Sequence, residues 1–198
     1  MLDAPLRKLS VPVTAPIADY LARANVSAKL LTVAGFVVGL GAFAAVATHN
    51  YWWGLGLLAA SRLLAGIDGA LARLTNVTDL GAFLETIFGF IVAASIPFGF
   101  ALADPTRALA AAFLVFGFIA SGSAYLAFAA IAAKGAAIVP GVALIRYPGG
   151  LIESSEIFVA LALACAFPGW FSVIAYVVGA LCFATAGTRV AEGVANFP

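Results

Sequence analysis

Four carboxylates in this sequence stand where a carboxylate is expensive. Asp68, Glu85, Glu153 and Glu156 lie within or at the mouths of long apolar runs. An ionised acid in hydrocarbon costs several kcal/mol, so such groups persist mainly where they face a polar cavity. Asp68 shares its run with Arg62, Glu85 opens the next run, and Glu153 and Glu156 open a later one, three positions apart. One polar chamber between helix ends accounts for all four together. Hard oxygens gathered in such a chamber suit a divalent cation, and an arginine at its edge suits phosphate oxygens.

The elements that must position these groups follow from composition. Of 198 residues, 64% are hydrophobic and only 10% charged, with a mean hydropathy of +1.11. A single small core cannot hide that much apolar surface from water, so lipid is the solvent. A net charge of +1 provides no basic field for nucleic acid, and no nucleic-acid partner is expected. Cys165 and Cys182 both sit in apolar stretches and read as small packing residues, as do Gly35, Gly39 and Gly41 of the first run.

Runs long enough for a bilayer, about 20 residues, are expected at Leu30 to Thr48, Trp52 to Ala72, Leu80 to Leu102, Ala108 to Ala133, Ile152 to Phe167 and Trp170 to Thr188. The fifth is short, and the linker from Lys134 to Gly150 is partly apolar. The expectation is a single all-α integral membrane domain over residues 1–198, with residues 28–190 forming a six-helix bundle. Residues 1–27 carry Leu2, Leu6, Leu9, Val13, Ile17 and Tyr20 at helical spacing, broken by Pro5, Pro12 and Pro16. They read as an amphipathic segment lying at the membrane interface. With six spans, Arg7, Lys8, Arg23, Lys29, Arg73, Lys134, Arg146 and Arg189 collect on one side, so both termini are expected in the cytoplasm. His49 falls on the other side beside Tyr51, Trp52 and Trp53, which resemble an interfacial aromatic belt, and no catalytic role is expected of it.

The stretch Arg62-Leu-Leu-Ala-Gly-Ile-Asp68-Gly69-Ala-Leu-Ala72-Arg73, followed by Gly81-Ala-Phe-Leu-Glu85-Thr-Ile-Phe-Gly89, resembles the signature of the CDP-alcohol phosphatidyltransferases. In that family D-x2-D-G-x2-A-R precedes G-x3-D-x3-D by eight residues. The approach to the first span, Val26 to Thr32, and the helix layout extend the resemblance along essentially the whole chain. It implies a membrane-embedded site in which Mg2+ or Mn2+, held by three aspartates, binds the pyrophosphate of a CDP-linked lipid. A fourth aspartate deprotonates the hydroxyl of an alcohol or lipid acceptor, and CMP leaves. It further implies phospholipid synthesis in a bacterial-type inner membrane among membrane lipids, and a homodimer. The spacing has its own logic: acids three apart on one helix and four apart on the next share faces, so two packed helices converge their oxygens.

The match is incomplete. The first acidic position falls on Ala65, the second is Asp68, the third is Glu85 and the fourth, the general base, is Gly89; seven residues, not eight, separate Arg73 from Gly81. Asp68 and Glu85 are therefore the expected metal ligands, and Asp68, Gly69, Ala72 and Arg73 the expected nucleotide contacts. No catalytic base is assigned, and a non-catalytic protein that keeps a lipid or CDP-lipid pocket is the alternative. Auxiliary groups are Asp79, which otherwise reads as a first-turn acid, and the pair Glu153 and Glu156, which otherwise reads as a helix start. Arg146 is the remaining one, either a phosphate contact or a solvated interfacial cation.

Overall fold

The computed structural model describes residues 14–138 and 150–196. Helical residues 14–23 (α1) are followed by Ala28–Ala47 (α2), Tyr51–Leu74 (α3), Asp79–Ala103 (α4), Ala108–Ile138 (α5), Ser154–Ala166 (α6) and Phe171–Asn196 (α7). No strand occurs among the described residues. Five helices, α2 to α5 and α7, are long and apolar enough to cross a membrane. With 13 residues, α6 is about 20 Å long, shorter than a bilayer's hydrocarbon core. Leu109, Ile119, Val177 and many other large apolar side chains face outward, the expected pattern for a bundle dissolved in lipid.

Short connections make α1 to α5 successively antiparallel, and likewise α6 and α7, so two ends can be distinguished. One end gathers α1, the end of α3, the starts of α4 and α6, and the end of α7. The other gathers Trp52, Trp53 and Trp170, all exposed, around the α2–α3 turn and two short 3-10 turns. There Arg107 donates to Asp104 at 2.9 Å and to the carbonyl of Pro168 at 2.9 Å, tying the two turns together. Hydrogen bonds from Thr106 and Arg107 hold the Asp104 carboxyl below its ordinary range.

The chain leaves α2 through a Schellman turn: the N–H of His49 donates to Val46 and that of Asn50 to Ala45. His49 takes φ 63° there, a left-handed conformation that costs a residue with a Cβ about 1–2 kcal/mol. The turn thus accounts for the backbone conformation of His49. Replacing His49 by glycine is expected to raise stability by about 1 kcal/mol. A lower midpoint of thermal unfolding in detergent would mean that the His49–Tyr51 contact at 3.3 Å outweighs the backbone strain.

Packing relies on small residues, as it must where the surrounding lipid is as apolar as the helices. A Cβ at Gly117 of α5 would stand 2.9 Å from the carbonyl oxygen of Gly179 in α7, so these two helices touch backbone to backbone. Gly39 of α2 leaves similar room for Val92 of α4. Cys165 and Cys182 are free and buried in the core. Pro16 does not interrupt α1, and Ala18 packs fully buried against Ala70 and Leu71 of α3, while Ile17 and Tyr20 point outward. Residues 1–13 of the expected interfacial segment lie outside the described residues.

Candidate functional site

Asp68 sits six residues before the end of α3, 5% exposed, where a charge needs a partner. Thr32 of α2 provides one: its hydroxyl lies 2.6 Å from Asp68 Oδ2 and 3.2 Å from the carbonyl of Ala28 one turn back. Two turns further into the membrane Ser61 donates to the carbonyl of Gly35 at 2.7 Å. These two hydroxyls pin α2 to α3 and fix the rotation that aims Asp68 inward.

Glu85 lies in the second turn of α4, whose start is set by the N-cap Thr78 accepting the N–H of Gly81 at 3.1 Å. It is exposed into three adjoining hollows. One, of about 360 Å³, is walled by the Ala22–Lys29 segment, by Asp68, Gly69 and Ala72 of α3, and by Gly81 and Glu85. A larger one, of about 590 Å³, runs between α3, α4, α5, α6 and α7 and is lined by Arg62, Glu85, Gly89, Tyr125, Glu153 and Arg189. A narrow throat of about 30 Å³ lies between helices α2, α3 and α4, where Ala65, Asp68, Glu85 and Gly89 all appear. The two acids expected to act together thus share walls, and Glu85 touches all three spaces.

The remaining expected residues divide. Gly69 and Ala72 line the 360 Å³ hollow with Asp68. Arg73 is exposed and folds back so that one guanidinium nitrogen lies 3.6 Å from where a Cβ on Gly69 would be, at the edge of that hollow. Asp79 is an exposed first-turn residue of α4 and lines none of these three spaces. Glu153 and Glu156 do not act as a pair facing one cavity. They form a capping box: the Glu153 carboxylate accepts the Glu156 N–H, and Glu156 accepts the Glu153 N–H at 2.7 Å. Only Glu153 lines the large hollow. Arg146 lies outside the described residues.

Sequence reasoning missed Arg189 and the hydroxyl of Thr32 as site groups. Arg189 of α7 donates to the carbonyl and hydroxyl of Ser121 at 2.9 and 3.0 Å, with its guanidinium 5.3 Å from the Tyr125 ring centre. Its buried Nε has no hydrogen-bond partner. The signal lay in the spacing: Thr185 and Arg189 are one turn apart on one face, and Thr185 accepts the N–H of Ile152 at 3.1 Å, tying the start of α6 to α7. Arg62 reaches across to α6, its guanidinium 4.1 Å above the Phe158 ring.

Among the described residues no three His, Cys, Asp or Glu side chains come together as a metal cage. Two carboxylates on a common wall still fit one Mg2+ or Mn2+, because Mg2+ commonly binds one or two carboxylates and completes its shell with water and substrate phosphates. They do not fit a two-metal cluster held by protein alone.

The sequence model of a family described as CDP-alcohol phosphatidyltransferase matches residues 25–185. The chain is 41% identical over 196 residues to the inner membrane protein YnjF of Escherichia coli K12, covering 98% of this chain and 95% of that one. Its fold is that of the phosphatidylinositol phosphate synthase of Mycobacterium tuberculosis solved with CDP-DAG bound: TM-score 0.69 at 21% identity, covering 91% and 92% of the two chains. The same protein solved with manganese and citrate superposes with a TM-score of 0.65 at 20% identity, covering 90% and 87%.

Proposed function

The chain belongs to the CDP-alcohol phosphatidyltransferase family, and on that premise we propose that it moves a phosphatidyl or alcohol-phosphate group from a CDP-linked donor to a hydroxyl acceptor, releasing CMP. The observation that carries this reading is the shared wall: Asp68 and Glu85 both line the 360 Å³ hollow, and Glu85 also lines the 590 Å³ one. A donor whose cytidine phosphate lies beside Gly69 and Ala72 brings its pyrophosphate to these acids. An acceptor enters from the larger side.

Asp68 and Glu85 would hold the divalent cation, which when bound neutralises pyrophosphate charge and favours departure of CMP. Thr32 holds Asp68 in place, so the carboxylate does not need to reorganise on binding. Gly69 and Ala72 let the nucleotide approach the α3 backbone, and Arg73 at the edge can donate to its phosphates. The lipid setting leaves the diacyl portion in the bilayer, where no protein pocket is required for it.

In this reading α6, with its flanking residues, is the sixth crossing. The site end, rich in basic residues, faces the cytoplasm together with both termini. The family resemblance supports a homodimer and a bacterial-type inner membrane. A second reading, a non-catalytic protein that binds CDP-lipid and works through partners, is favoured by one observation: positions 65 and 89 reach the throat with no carboxylate.

The deciding experiment is transfer by the purified chain in vesicles containing CDP-diacylglycerol, with Mg2+ or Mn2+ and labelled glycerol 3-phosphate, serine or inositol 1-phosphate. Labelled lipid forming in step with CMP is the expected result. CDP-diacylglycerol binding with no CMP released would establish the second reading instead, and absence of both would end the two.

A further inference from the structure

The catalytic reading leaves the entering hydroxyl without a proton acceptor at position 89, and the large hollow supplies a carboxylate from elsewhere. Gly89 of α4 and Glu153 at the start of α6 line the same 590 Å³ space. A Cβ built on Gly89 meets nothing within 4 Å, so the volume a side chain would take there is open to a ligand. Glu153 is held firmly. Its carboxylate accepts the Glu156 N–H, its own N–H donates to Glu156 at 2.7 Å, and the preceding N–H of Ile152 donates to Thr185 at 3.1 Å. Arg189 interacts electrostatically with Glu153 and also lines this hollow. A guanidinium and a fixed carboxylate on the walls of one space, opened by a glycine, describe a seat for a polar hydroxyl compound.

We propose that Glu153 is the catalytic base for the entering hydroxyl, acting from α6 in place of the side chain that position 89 lacks. This rests on the transfer reading above. In the step, the Glu153 carboxylate takes the hydroxyl proton while the acceptor oxygen forms a bond to the lipid-side phosphorus of the donor. The bond from that phosphorus to the bridging oxygen breaks, its electron pair leaves with CMP, and the proton on Glu153 passes to water.

Glu153→Gln is the test, because glutamine keeps an oxygen for the helix cap but cannot accept the proton. In full-length protein in CDP-diacylglycerol vesicles, kcat is expected to fall by about 10²–10⁴-fold with little change in KM for the donor. Adding Gly89→Asp to Glu153→Gln, where the open space admits a side chain, is expected to restore at least about tenfold of the loss. Wild-type turnover that Glu153→Gln leaves unchanged would overturn this role and spare the transfer reading. So would a fall in kcat that Gly89→Asp in the Glu153→Gln background does not reverse, which is the mark of a positioning residue. No turnover in the wild type would overturn both.

Discussion

Replacing Asp68 by alanine is expected to bring CMP release from CDP-diacylglycerol to background, a loss of at least about 10²–10⁴-fold, without unfolding the protein. The two halves of that statement come from the same contact. Asp68 is buried and accepts the Thr32 hydroxyl at 2.6 Å, while the same hydroxyl has the carbonyl of Ala28 at 3.2 Å as an alternative acceptor. Removing the acid therefore orphans no donor. It also removes a carboxylate from a membrane-embedded position, where its charge is costly. The expected signature is an unfolding midpoint in detergent that is unchanged or higher, beside lost transfer. That combination marks a group retained for chemistry at the expense of stability. Transfer that survives Asp68→Ala would defeat the catalytic reading. A protein that no longer folds would instead make the Thr32–Asp68 bond a structural clasp between α2 and α3.

How far the residues alone reach can be judged element by element. Apolar runs bounded by charges placed the first four long helices to within a few residues, except that α5 continues to Ile138 past Lys134. The reason is physical: a hydrocarbon environment forbids unpaired backbone, so an apolar run of bilayer length has little choice but helix. Where that constraint relaxes, the reading lost detail. The last helix continues past Thr188 to Asn196, since beyond the hydrocarbon a helix ends where caps and solvent decide. Placing the boundary at Thr188 put Arg189 on a tail, and so hid a residue that lines the large hollow. The pair Glu153 and Glu156 left two readings open for a related reason. Spacing of three places two acids on one face, but it is also the spacing of a capping box, and only coordinates distinguish a shared cavity from a reciprocal bond to backbone. Asp68 and Glu85 could be singled out in the sequence because a lone acid in an apolar helix has few structural uses, and both line the narrow throat.

The converse substitution tests whether the gaps in the motif are what limits this chain. Ala65 stands three positions before Asp68 on α3, on the same side of the helix, and both line the narrow throat with Glu85 and Gly89. An aspartate at 65 would turn two carboxylates into three around that throat. An aspartate at 89 meets open space, so it enters with no steric cost. The double variant Ala65→Asp with Gly89→Asp is therefore expected to bind Mn2+ at least about tenfold more tightly, equivalent to about 1.4 kcal/mol. Turnover should rise by up to about 10²-fold, because a base four residues beyond Glu85 then faces the acceptor together with Glu153. Electron paramagnetic resonance of added Mn2+ reads the first effect independently of activity. Added negative charge has an opposing cost: without a cation the throat holds more mutually repelling acids, so the metal-free variant should unfold at a lower temperature than the wild type and recover on adding Mn2+. If Mn2+ affinity, turnover and metal-dependent stability all stay at wild-type values, positions 65 and 89 do not face the site. The throat between α2, α3 and α4 would then be a packing defect rather than the remains of a metal centre.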